Sequence, residues 1–186
     1  MNDELRTSWD ERIRPVWFWL LVVAGLAGSF AVLMLMQRVL APLLALASYH
    51  PVELQFAWTR DAAIEIMRGY ELRLPALLDF LALDGFYPLF YGMLFFGTTA
   101  LVRRALKEGV WRKPGTAALI FCLAAPVCDW LENGLTLHLF NNLDTVPAWC
   151  VFGLTLFAEI KWLLLLGVVV WLVGGIIGIL RSRGKR

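Results

Sequence analysis

Residues 116–139 read TAALIFCLAAPVCDWLENGLTLHL. Such a run is apolar enough to cross a bilayer as a helix, since ~20 residues span the ~30 Å of hydrocarbon. Yet Asp129, Glu132 and Asn133 sit inside it. An ionised carboxylate costs ~2.5–3.5 kcal/mol there on insertion scales, so acids in a span face a bundle interior and serve a purpose. On a helix the spacing Asp129, Glu132, Asn133, Thr136 (i, i+3, i+4, i+7) puts four polar groups on one stripe. The segment predicts a membrane helix with one polar face, and that face needs neighbouring helices.

The rest of the chain supplies them. With 186 residues, 60% of them hydrophobic, 17% charged and nine Trp, and a mean hydropathy of +0.68, it lies outside the usual range of soluble domains. Further apolar runs at 16–36, 86–102 and 162–180 bring the number of spans to four. Alternation with a period of two is absent, which argues against an outer-membrane barrel. The expected fold is all-α: one four-helix membrane domain over residues 1–186, with helices at roughly 15–38, 84–102, 116–139 and 148–180 and an outer loop at 39–83. The first run is too long for a signal-peptide core, follows an acid-containing N-terminus and lacks a small-x-small cleavage site, so it is expected to stay as a helix. Cys122, Cys128 and Cys150 form no C-x-x-C pair, which predicts neither a disulfide framework nor a thiol redox centre.

Basic residues set the expected orientation. Arg6, Arg12 and Arg14 precede the first span; Arg103, Arg104, Lys107, Arg112 and Lys113 fill the second loop; Arg181, Arg183, Lys185 and Arg186 end the chain. Twelve of seventeen Lys and Arg thus share one side, which the positive-inside rule makes cytoplasmic. Both termini are expected in the cytoplasm, and the location fitting this pattern is a bacterial inner membrane. The same rule accounts for the net charge of +2, so no nucleic-acid partner is expected.

Taken in order, the first span carries Trp17 and Trp19 as an interfacial anchor, and Gly25, Gly28 and Ser29 allow close helix contact. Pro42 is expected to stop it. In the outer loop Thr59 caps a short helix with Asp61 in its first turn and Arg68 in its last, ended by Gly69. That helix is read either as a lid over the bundle mouth or as a packed connector. The second span begins near Pro75 or Asp84. Pro88 removes a donor to the carbonyl of Asp84, and a broken turn in a membrane helix must be satisfied by neighbours or water. Phe86, Tyr87, Phe90, Tyr91, Phe95 and Phe96 make this an aromatic-rich rim, read as packing or as a ligand lining.

Heights follow from a rise of ~1.5 Å per residue: Pro88 lies ~22 Å and Asp84 ~28 Å above Arg103, Asp129 ~24 Å and Glu132 ~28 Å above Lys113, and Lys161 ~30 Å above Arg181, with Glu159 slightly higher. Polar groups from different helices therefore reach one layer. Two readings of that layer stay open: a functional pocket, or an Asp/Glu–Lys/Arg network holding the third and fourth spans together.

Several chemistries lack their residues. His50 and His138 do not make a bis-histidine haem site in the bundle. The Glu-x-x-His pairs of di-iron bundles are missing, although Asp84, Asp129, Glu132 and Glu159 include the oxygen donors of a hard cation. No Ser-His-Asp set or glycine-rich phosphate loop is present, and no cofactor is expected. Gly167, Gly174, Gly175 and Gly178 in the last span suit close packing or homo-oligomerisation.

The run Tyr49-His50-Pro51-Val52-Glu53-Leu54, the acid and proline opening the second span (Asp84, Pro88) and Gly109-Val110-Trp111-Arg112-Lys113-Pro114 before the third resemble the four-helix EXPERA group, which includes the sigma-2 receptor and emopamil-binding-type sterol isomerases. The similarity covers roughly residues 30 to 120. It implies a bundle whose outer-half pocket takes lipid-like or sterol-like molecules beside buried acids. The chain departs from the pattern in the Met36-Gln37 region, where the group has an acid, and no His-and-Glu isomerase set matches. The combination D-x-x-x-Y-P-x-x-Y-G with D-x-x-E-N also looks like uncharacterised bacterial four-helix membrane proteins.

The leading expectation is an acidic, aromatic-rimmed pocket that binds, and by one reading modifies, a small lipophilic or lipid-like molecule. Its site residues would be Asp84, Tyr87, Phe90, Tyr91, Asp129, Glu132, Asn133, Glu159 and Lys161. Membrane lipids or a lipophilic molecule are the expected partners. The alternatives are an accessory subunit of a membrane complex, and ion or proton translocation, against which the lack of a polar stripe in the cytoplasmic half counts.

Overall fold

The computed structural model describes residues 12–44, 49–70, 74–106 and 112–183. Arg6, Lys107, Gly109, Val110, Trp111, Lys185 and Arg186, used in the sequence reading, lie outside them. Among the described residues six helices follow one another: α1 (Pro15–Leu44), α2 (Pro51–Leu54), α3 (Arg60–Arg68), α4 (Leu74–Ala105), α5 (Pro114–Asn141) and α6 (Ala148–Arg183). Among the described residues there is no strand. Helices α1, α4, α5 and α6 are each long and apolar enough to cross a membrane. The chain is therefore an all-α integral membrane protein built on a four-helix bundle, with α2 and α3 forming a cap at one end.

Two expected boundaries move. Helix α1 does not stop before Pro42 but carries it, running on to Leu44. Pro42 is exposed in the last turn, where the carbonyl it leaves without a donor, that of Arg38, stands at the helix end, so the break expected in a helix interior does not follow. Helix α4 begins at Leu74, beside Pro75 and ten residues before Asp84, the two starts the sequence offers, and it passes through Pro88 unbroken. Its length of 32 residues and the 36 of α6 exceed one perpendicular crossing, so both reach past the hydrocarbon and carry the cap.

In lipid the hydrophobic effect gives helices little reason to associate, so close packing must hold them. Helix α1 lies along α4, α4 along α5, and α5 along α6. Gly25 shows why the first pair is so close: a Cβ there would run into the Phe90 and Leu94 backbone of α4. Gly92 does the same for the second pair, since its Cβ would stand 2.9 Å from the Pro126 ring. The glycines of the first span thus serve packing. At the terminal end Ala118, Cys122, Val168 and Trp171 form an inner core.

The cap has a core of its own. Ala63, Ile66 and Met67 of α3 and Tyr70 pack with Leu77, Leu139, Val151 and Leu154 from the long helices. Helix α3 starts and ends as its sequence dictates: Thr59 accepts the Ala62 N–H at 3.3 Å, Asp61 and Arg68 occupy its first and last turns, and Gly69 closes it with right-handed backbone. Helix α2 is a single turn fixed by a reciprocal box, in which His50 Nδ1 accepts the Val52 N–H at 3.2 Å and Glu53 Oε1 accepts the His50 N–H at 2.7 Å. Arg60 donates to the carbonyls of Val146 (2.8 Å) and Asp144 (2.9 Å), and Thr155 to that of Ala57 (3.0 Å). These bonds tie the cap to the α5–α6 end of the bundle.

Candidate functional site

The polar stripe of α5 faces inward. Asp129 and Glu132 are each 3% exposed and Lys161 of α6 is 4% exposed. Lys161 Nζ donates to Asp129 Oδ1 at 2.9 Å and to Glu132 Oε2 at 2.6 Å. From the other side the Tyr91 hydroxyl of α4 donates to Asp129 Oδ2 at 2.9 Å. Three helices thus share one chain of bonds, Tyr91–Asp129–Lys161–Glu132. Desolvating ions is costly, and attraction offsets the cost only where geometry is good and the remaining lone pairs find donors. Here both oxygens of Asp129 have donors.

Beside this chain lies a cavity of about 570 Å³, within the range of sites that hold drug-sized ligands. Asp84, Tyr87, Tyr91 and Phe95 face it from α4, Asp129, Glu132, Asn133 and Thr136 from α5, and Lys161, Trp162, Leu165, Leu166 and Val169 from α6. Met36 of α1, the α2 turn, Met67 and Tyr70 at the end of α3, and Leu77, Phe80, Leu81 and Leu154 nearer the cap line it as well. The α4 set recurs at i, i+3, i+7 and i+11, one face of a helix. Tyr87 and Tyr91 meet edge to face with ring centroids 5.3 Å apart, a geometry that favours holding both rings in place. The Asn133 amide nitrogen is buried without a hydrogen-bond partner, close enough to Asp84 to interact with its carboxyl. Lys161 Nζ also lies 5.5 Å from the Trp162 ring centroid.

Seven of the nine residues expected at the site, Asp84, Tyr87, Tyr91, Asp129, Glu132, Asn133 and Lys161, line this one cavity. Phe90 and Glu159 do not. Phe90 turns to α1, where its ring fills the space beside Gly28; it sits ~100° around the helix from the Asp84–Tyr91 face. Glu159 is two residues from Lys161, and residues so spaced on a helix do not face the same side. The angle around each helix, not the distance along it, keeps both side chains off the cavity. The sequence assigns neither the Tyr49–Leu54 run, nor Met36, nor the apolar α6 residues to the site, and gives Tyr91 no bond to Asp129.

Beside the Pro88 turn the Trp130 indole N–H of α5 donates to the Gly85 carbonyl at 2.8 Å, one residue past the Asp84 carbonyl that the proline leaves without its helical donor. His138 stacks on Trp149 at 6.3 Å, away from the cavity. Among the described residues no group of three or more His, Cys, Asp or Glu is arranged to hold a metal ion. The three cysteines are unbridged.

With three carboxyl groups and one ammonium on its wall, the cavity is formally acidic, while its remaining surface is aromatic and aliphatic. It is suited to a molecule with a hydrogen-bonding or cationic head and an apolar body. No protein-family model matches the chain, and no curated protein or solved structure matches it.

Proposed function

We propose that the protein binds a small lipophilic or lipid-like molecule inside its membrane bundle, with the polar end of the ligand on Asp84, Asp129 and Glu132. One observation carries the reading: a buried, hydrogen-bonded Asp129–Lys161–Glu132 set opens onto a roomy apolar cavity instead of being filled over by side chains. A group of charges serving only to hold α5 to α6 has no need of adjoining empty volume, because cavities cost packing energy. In this reading Lys161 keeps the two acids poised, Tyr91 and Asn133 orient the ligand, and Phe95 and Tyr87 contact its apolar part. The ligand class agrees with that implied by the EXPERA resemblance.

The proposal also places the protein in a bacterial inner membrane with both termini in the cytoplasm and the α2–α3 cap outside, which the positive-inside rule supports. The test is ligand capture by purified protein in phosphatidylcholine nanodiscs. Dodecylamine, dodecanol and dodecyl sulfate share a chain and differ in head charge. Native mass spectrometry should show the amine retained best and the sulfate least, with Glu132→Gln removing the preference. Equal retention of all three by the wild-type protein would defeat the acidic-site reading.

A further inference from the structure

The buried polar layer falls into two parts. In one, Tyr91, Asp129, Lys161 and Glu132 bond to one another. In the other, polar groups face the cavity and bond to nothing in the chain. Thr136 lines the cavity and is 6% exposed, yet among the described residues its hydroxyl makes no hydrogen bond. The Asn133 amide nitrogen is buried and also without a partner. Asn133 and Thr136 stand at i and i+3 on α5, and Glu132 and Thr136 at i and i+4, so the three are neighbours on one helix surface. Asp84 of α4 stands beside the Asn133 amide and within electrostatic reach of Asp129 and Lys161. Among the described residues it forms no ion pair of its own, since Lys161 bonds to the two α5 acids instead.

A hydroxyl and an amide buried without partners each cost the free energy of the water they gave up. A partner supplied from outside the chain removes that cost, and the residues state its chemistry. Three carboxyl groups face one ammonium on this wall, so the missing partner is positive. A carboxylate with neutral hydroxyl and amide oxygens is the kind of shell that hard metal cations take. Thr136 offers its lone pairs directly. The Asn133 amide, with its nitrogen unengaged, gives up no bond of that nitrogen by turning its oxygen inward. The charge of the ion follows from Lys161. Its ammonium, 2.6 Å from Glu132 Oε2, repels a second cation in proportion to that ion's charge. A divalent ion is further disfavoured because calcium sites draw on several carboxylates and magnesium sheds its water reluctantly, while among the described residues no three acidic groups are arranged to hold one.

From this we infer that the layer holds a monovalent metal cation between α4 and α5, on the Asp84 carboxylate, the Asn133 amide oxygen and the Thr136 hydroxyl. The ion neutralises the one acid that Lys161 leaves unpaired and ties the two helices at the height of the site. The inference goes beyond the lipid-binding reading and does not rest on it.

Binding of radioactive sodium to the purified protein in phosphatidylcholine nanodiscs tests it. Wild-type protein should bind sodium saturably, with unlabelled sodium displacing the label and an equal concentration of magnesium failing to do so. Asp84→Asn keeps the shape and removes the charge, and should weaken binding by about a hundredfold; Thr136→Val keeps the shape and removes the hydroxyl, and should weaken it about tenfold. Circular dichroism establishes that each variant is folded, and Thr136→Val carries the test if Asp84→Asn is not. Lack of saturable sodium binding by the wild-type protein, displacement by magnesium, or binding indifferent to Thr136→Val overturns the cation site. Dodecylamine retention is measured separately, so a protein that keeps the amine and ignores sodium overturns this inference alone, and one that binds sodium without preferring the amine overturns only the proposed function.

Discussion

The polar layer inside the bundle and the cap above it use the same side-chain types for different ends. In the layer, Lys161, Asp129 and Glu132 are almost wholly buried and bond to one another. In the cap, Arg60, His50, Glu53 and Thr59 bond mainly to backbone, fixing helix ends and connections, and the Arg68–Asp144 pair at 3.7 Å lies in the open, its side chains 60% and 90% exposed. The lesson is about water. Where solvent can replace a lost partner, a charge pair contributes little; where it cannot, the partners depend on each other.

The comparison is broken most severely at Lys161. Lys161→Met should destabilise the protein by ~3–5 kcal/mol, the cost of leaving buried charge without its partner. Thermal unfolding in mild detergent measures it. Combining that change with Asp129→Asn and Glu132→Gln should recover most of the loss, because neutral polar groups carry no such penalty; no recovery would mean that packing, not charge, sets the effect. Thr155→Val is the next in size, since it strips a buried carbonyl, that of Ala57, of its donor, at ~1–3 kcal/mol. Its effect should be felt in the cap, as faster hydrogen exchange in α2 and the turn that follows.

A pH series sharpens the contrast within the cap. Burial, and then the charge of Glu53, push the Tyr70 phenol from its usual 10.0 up to about 12. The folded state therefore favours the protonated phenol, which donates to the Tyr49 carbonyl. The sign follows from linkage: this contribution is whole below about pH 10 and is lost as the pH climbs towards 12. Tyr70→Phe should flatten that part of the stability profile, and ultraviolet absorbance should show one late-titrating phenol fewer. The smallest effect belongs to Arg68→Ala, expected at ~0–1 kcal/mol and reduced further by salt. A loss as large as that of Lys161→Met would refute the distinction between the two regions.

Much of this was legible in the residues. Apolar run length located the four spans, the Thr59 to Gly69 pattern located α3, and the Asp129–Thr136 stripe identified the inward face of α5. Helix starts and stops were less so: Pro75 does mark the start of α4 within one residue, but Pro42, which punctuates a soluble helix, is carried inside α1, because in a span the chain has nowhere to satisfy open backbone and continues. The site showed a sharper limit. Counting residues gives height along an axis, which is why Asp84, Asp129 and Lys161 were grouped correctly. It gives no angle between helices, which is why Phe90 and Glu159 were included and Met36 and Leu166 were not. The Tyr49–Leu54 run was not legible as a helical turn because its cap is a histidine, and the usual signature begins with Ser or Thr.

The bond between Lys161 and the acids of α5 has a consequence for how the chain enters its membrane. Lys161 follows Asp129 by 32 residues and Glu132 by 29, so during synthesis both acids emerge well before the base that neutralises them. Helix α5 alone is a poor candidate for release into lipid. Entry of the two helices together, as a hairpin already joined through Lys161, is the expected route, because it spares both acids a passage through lipid without their partner.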